Sequence, residues 1–129
     1  MKQQLFQDKY PITVLEIEKS QTSFRSVSDV AEYFRTCFDG MPDVICIGTF
    51  DHYEHTRSLG GDIAPEITAA LNVLFCFGKA LPDPRVLAVR PRSVGIADLC
   101  DRFVISFLDA PMKPANDAMQ AWAKGIRNI

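Results

Sequence analysis

One short segment concentrates groups that can do chemistry. Asp51-His52-Tyr53-Glu54-His55 places two imidazoles and two carboxylates within five residues. Such a set could ligate a divalent metal, or use one histidine as a general acid or base near neutral pH. The spacing argues against the metal. His-x-x-His is not the His-Glu-x-x-His of a zinc hydrolase helix, and it falls where a strand runs out into a loop rather than on a helix. No metal or other cofactor is expected. The plainer alternative is a polar strand end whose histidines bond to loop backbone.

A second cluster is Arg90-Pro91-Arg92-Ser93. Two guanidiniums about a rigid proline can hold a carboxylate or phosphate in bidentate fashion. Its plainer alternative is a solvated strand end, or an arginine paired with Asp51 or Asp101. Other signals are weaker. Gly60-Gly61 lacks the strand-glycine-helix context of a phosphate loop. No serine sits in a nucleophile-elbow pattern. Cys37, Cys46, Cys76 and Cys100 form no Cys-x-x-Cys pair, and Cys46 and Cys76 lie in apolar, strand-like runs where a thiol acts as a small hydrophobe.

These clusters must be held by regular elements. Residues 11–18 are rich in β-branched side chains and end with Leu15 and Ile17 alternating with Glu16 and Glu18, a strand pattern. Ser26 or Ser28 can cap a helix running to about Asp39, with Val30, Ala31, Phe34 and Phe38 on one side and Gly40 and Pro42 beyond its end. Residues 43–51, 72–78, 85–90 and 102–108 read as four further strands. The connection from His52 to Leu71 is long, with room for a two-turn helix opening at Pro65. A last helix spans about 114–127, its stripe made by Ala115, Met119, Trp122 and Ile126. Phe24, Phe34, Phe38 and Trp122 read as core rather than as a base-stacking platform.

The order β-α-β-β-β-β-α points to an α+β fold, an antiparallel sheet with both long helices on one face. Such a sheet normally leaves its other face wet, and its strands then alternate apolar and polar. Here they do not. Residues 43–51 carry Val44, Cys46, Gly48 and Phe50 on one side and Ile45 and Ile47 on the other, and 72–78 pair Val73, Phe75 and Phe77 with Leu74 and Cys76. Something must cover the second face, either a second copy of the chain or the 52–71 connection.

The totals set bounds. A chain of 129 residues gives room for one domain, 1–129, and 47% hydrophobic with 23% charged residues is ordinary for a globular protein. A net charge of −2 with scattered Lys and Arg disfavours a nucleic-acid partner. No apolar run approaches the ~20 residues of a membrane helix, and the first residues form no signal-peptide core. No membrane partner and a cytoplasmic location are the expectations.

The chain also resembles a group of small uncharacterised bacterial proteins. The resemblance is carried by Tyr10-Pro11-Ile12 through Glu18, Phe50-Asp51-His52-Tyr53 with His55, Phe75-Cys76-Phe77-Gly78, Val89-Arg90-Pro91-Arg92-Ser93, and Phe103 through Leu108 with Ala110-Pro111. More remotely it is similar to the bacterial domain-of-unknown-function family numbered 302, which also places Asp-His after a strand and Phe-Gly before a proline-bearing turn; the loop after His52 is spaced differently. That family implies a β-α-β4-α fold and no transferable activity. Two functional readings follow. One is a non-catalytic domain that self-associates as a homodimer and binds a small anionic ligand beside Asp51, His52, His55, Arg90 and Arg92. The other is a small enzyme, metal-dependent or not, using His52 or His55 with Arg90 or Arg92. Both rest on a shared rim, with His52 nearer to Arg90 or Arg92 than to the Lys79–Pro84 turn.

Overall fold

The computed structural model describes all 129 residues. Six strands form one sheet: β1 (Lys2–Phe6), β2 (Tyr10–Glu18), β3 (Val44–Asp51), β4 (Ala69–Phe77), β5 (Arg92–Asp98) and β6 (Arg102–Leu108). Their spatial order is β1-β2-β6-β5-β4-β3, and every neighbouring pair is antiparallel. Three helices join them: α1 (Val27–Asp39), α2 (His52–Ser58) and α3 (Lys113–Lys124). The fold is α+β as expected, and β3 to β6 run as a meander with β2 in the same sheet.

Both long helices lie on one face. Along α1, Val27, Val30, Ala31, Phe34 and Phe38 are buried; along α3 and just beyond it, Ala115, Met119, Ala123 and Ile126 are. They meet the inward residues of the central strands, Val73 and Phe75, Val94 and Ile96, Phe103 and Ile105, and Leu15 and Ile17. Phe38 stacks on Phe75 with ring centroids 4.5 Å apart, and Trp122 closes on both edge-on.

Local chemistry starts α1. Ser26 accepts a hydrogen bond from the Asp29 amide at 3.1 Å, and the Asp29 carboxylate accepts from the Arg25 amide at 2.9 Å. Two otherwise unpaired donors are satisfied. Ser26→Ala is expected to lower stability by about 1 kcal/mol, read as a lower urea midpoint at unchanged slope.

The sequence reading needs four corrections. β1 was not foreseen: all five of its residues are exposed, so it carries no inward-facing apolar alternation. Residues 85–88 of the segment read as a strand belong instead to a 3-10 turn, Pro84–Ala88, because Asp83 accepts from the Arg85 amide at 2.7 Å and Pro84 opens the turn. The strand lies later, at β5, where Gly95 and Ala97 dilute the apolar pattern. The connection after Asp51 holds its helix at once, as α2, and not at Pro65; residues 69–71 already belong to β4. Finally, a bulge between Cys46 and Gly48 shifts the register of β3, so Val44 and Cys46 face the helices while Phe50 pairs with Asn72 on the other side.

Candidate functional site

The face of the sheet away from α1 and α3 is open over much of its area. Its floor is made by Asn72 on β4, Ser93 and Gly95 on β5, and Ser106 on β6; Asn72 is in register with Gly95, and Gly95 with Ser106. These small residues leave a trough of about 350 Å3, walled by Ala88 and Val89 on one side and Leu108 on another. A β-carbon on Gly95 would come within 3.4 Å of the Ser106 hydroxyl, so glycine keeps the floor low.

At the β3 end of this face the chain turns into α2. Asp51 is its N-cap, accepting from the Glu54 amide at 2.9 Å, so this carboxylate is used in starting the helix. Glu54 is held by Arg57 in a two-pronged contact at 2.7 and 2.9 Å. His52 and His55 lie 5.8 Å apart by ring centroids, each against Phe50 at 5.4 and 5.1 Å. His52 Nδ1 is 3.0 Å from Asn72 Oδ1, and Asn72 Nδ2 donates to Ser93 Oγ at 3.0 Å. With Asn72 as acceptor, neutral His52 carries its proton on Nδ1 and leaves Nε2 as a free acceptor.

This His52–Asn72–Ser93 chain crosses three elements. As a relay for nucleophilic attack its order is wrong, since the serine hydroxyl meets an amide and not the imidazole that would take its proton. What it does is orient an imidazole and fix the floor of the trough. No three His, Cys, Asp or Glu side chains come together as a metal-ligating group.

Arg92 lines the trough at its end away from His52, and Arg90 lies beyond it. Arg90 donates to the Ala80 carbonyl at 2.5 Å and lies against Gly78, on the Lys79–Pro84 turn itself. Arg92 opens β5 in register with Phe75, near the end of β4 opposite to Asn72's neighbours at Ala69 and Ala70. Arg90 therefore lies at the Lys79–Pro84 turn and away from His52, against the expected rim; that expectation depended on a strand ending at Arg90, and the strand begins at Arg92 instead. Arg92 shares the trough with Asn72, the partner of His52. Neither arginine pairs with Asp51 or Asp101, the latter bonding to Arg102 at 3.0 Å.

Arg92 is 8% exposed, and its Nε has no hydrogen-bond partner. Nη2 donates to the Leu108 carbonyl. Burial pushes the guanidinium pKa below its ordinary value, with nearby Asp109 acting in the opposite sense. Arg90 and Arg92 both line a small cavity of about 30 Å3 at the start of α3, whose other walls are apolar.

The strand order read from the sequence places Asn72 on the same rim as His52, but gives no sign of its link to Ser93 or of the joint floor with Ser106. The available signal was the break of an otherwise apolar run at Ser106, together with small residues at alternate positions of β5. Such residues on one sheet face mark a close approach or a groove.

None of the curated proteins and none of the solved structures compared with the chain matches it. A family model does, over residues 1–128, and by that match the chain belongs to the family of unknown function DUF6858.

Proposed function

We propose that this protein is a non-catalytic, self-associating domain that pairs with a second copy through the open face of its sheet. The observation that carries the reading is the apolar edge of that face: Ile45 is 67% exposed, Ile47 58% and Phe50 40%. Val89 and Leu108 on the far side of the trough are exposed as well. Together these five side chains, on the two sides of the trough, offer on the order of 500 Å2 of surface, toward the upper end of what a monomer leaves exposed in its largest apolar patch and a fair part of the ~800 Å2 each partner buries in a standard interface. A second copy is the occupant that needs no further complementarity. Across a two-fold axis running over the strands, the apolar β3 end of one sheet lies on the same end of the other.

The α2 segment supports the same reading. Cavity-lining residues His52, Thr56, Ile63 and Ile67 sit with Ala70 at one end of the open face, so the chain's own 52–67 segment covers part of it and a partner the remainder. In this reading the protein is a single domain, bacterial and cytoplasmic, with four free thiols that suit a reducing compartment. Neither nucleic acid nor membrane is a partner, in keeping with the net charge of −2. The remote likeness to the 302 family rests on Asp51-His52 and Phe77-Gly78 and is part of the same proposal.

Light scattering on the eluting protein tests it. The wild type is expected at twice the chain mass of 14.4 kDa at micromolar concentration. Ile47→Asp, which would place a carboxylate in the buried patch at a cost of several kcal/mol, is expected to weaken pairing by at least a hundredfold and return one chain mass with unchanged far-UV circular dichroism. A wild-type monomer at tens of micromolar, or pairing indifferent to both Ile45→Asp and Ile47→Asp, defeats the proposal.

A further inference from the structure

We infer that the small cavity at the start of α3 is a carboxylate-binding site, with Arg92 and Arg90 as its anion-holding residues and a short-chain aliphatic carboxylate as the class of ligand. The first observation is a buried cation with no direct ion pair, its charge offset only in part by nearby Asp109. Arg92 is 8% exposed, donates only to one main-chain carbonyl, and leaves Nε without a partner. Neither Arg92 nor Arg90 forms an ion pair with any carboxylate of the chain. A buried guanidinium without an anion is unfavourable, and proteins normally supply one. The second observation is that both arginines line the same cavity.

The shape of the cavity selects the anion. The cavity is small, about 30 Å3. A planar carboxylate head set against two guanidiniums is satisfied by donors on one side, whereas a tetrahedral dianion needs donors on all sides. The remaining walls are apolar: Phe77, Val89, Ala110, Pro111, Met112 and Ala115. Val89 and Met112 are exposed at its border, so a short alkyl tail would leave the head along hydrocarbon. The α3 N-terminus adds to this field. Its N-cap is Met112, which offers no side-chain acceptor to the first-turn amides, and an anion there is favoured by the helix dipole. The site lies apart from Ile45, Ile47 and Phe50 on β3, although Val89, at the far border of the proposed pairing face, is one of its walls.

Butyrate is the probe, followed by the Arg Nε–H signals in nitrogen-15 NMR and by thermal midpoint at constant ionic strength. The wild type is expected to bind butyrate saturably with Kd on the order of 1 mM, shifting the Arg92 Nε–H signal. Arg90→Gln and Arg92→Gln are each expected to weaken binding by roughly tenfold or more, as for loss of a hydrogen bond to a charged group. Neutral methyl butyrate should leave the signals unmoved, and Ile47→Asp should bind butyrate as the wild type does. Without ligand, Arg92→Gln should be at least as stable as the wild type, since it removes a buried unpaired charge; a purely structural Arg92 would lose stability instead. Arg90→Gln, at a half-exposed position, carries the test if Arg92→Gln fails to fold. The inference is overturned by no saturable response up to roughly 100 mM, by unchanged butyrate affinity in Arg90→Gln, by an equal response to the methyl ester, or by inorganic phosphate binding more tightly than butyrate.

Discussion

Phe75→Ala is expected to remove about 3–5 kcal/mol of stability, a large part of the ~5–15 kcal/mol that holds a domain of this size together. Phe75 is fully buried in the middle of β4. One side of its ring stacks on Phe38 of α1 at 4.5 Å between centroids; the indole of Trp122 on α3 stands edge-on at 5.9 Å. It is thus the side chain at which sheet, first long helix and last long helix meet. Truncation leaves a void lined by three rigid elements that cannot all close on it, so a cavity cost adds to the lost transfer energy. Urea denaturation measures the loss. Trp122 is the only tryptophan of the chain, so near-ultraviolet circular dichroism reports the same event from the neighbouring ring. A loss below about 1 kcal/mol would mean that the three elements repack freely, and this account of the core would be wrong.

Gly125→Ala is expected to destabilise by about 2 kcal/mol, although alanine is ordinarily the better residue near a helix end. Gly125 has φ −69° and ψ −10°, a right-handed conformation open to any residue. Backbone freedom is therefore not its reason. A β-carbon there would clash with the Tyr33 hydroxyl and lie 3.4 Å from the ring carbon that bears it. The hydroxyl cannot simply swing away. It donates to the Trp122 carbonyl at 2.5 Å, and its ring is held between Phe24 and Phe34 with centroids 5.4 and 5.5 Å distant. Burial, first, and the neighbouring Cys37 push the phenol's ionisation above its ordinary range, so it remains a donor. Making room for one methyl group then costs the hydrogen bond, about 1 kcal/mol, and the strain of overpacking, about 1–3 kcal/mol. Tyr33→Phe in the same chain should recover part of the loss, giving a non-additive double-mutant cycle. If Gly125→Ala raises the melting temperature, the contact is not the constraint described.

Much of this architecture could be read from residue order. The stripes on α1 and α3 and the two-sided β4 gave the α+β class and the common face of the long helices, because each rests on a period that local sequence carries. What could not be read depends on events between elements. Asp51 looked like a free acid at a strand end; it is the N-cap of α2, and whether a carboxylate caps a helix depends on the backbone turning there. Val86 to Val89 look more strand-like than Val94 to Ala97, yet Pro84 and Asp83 commit the former to a turn while register with β4 and β6 recruits the latter. That exchange placed Arg90 at the Lys79–Pro84 turn, away from His52. The pairing of His52 with Asn72 and of Asn72 with Ser93 is set by strand register, which no single segment states.

The bulge between Cys46 and Gly48 also bears on how copies of this chain can meet. β3 is an edge strand, one of two places where the sheet ends with open main-chain groups. A straight apolar edge carrying Ile45, Ile47 and Phe50 would be a template for strand added to strand, and head-to-tail addition of that kind has no natural stopping point. The extra residue interrupts the ladder and twists the edge away from a straight partner. At the other end β1 presents Lys2, Gln3 and Gln4, polar and exposed, followed by an exposed Leu5 and Phe6. The same defect that hid the direction of Phe50 from the sequence thus works against open-ended strand addition at the β3 margin.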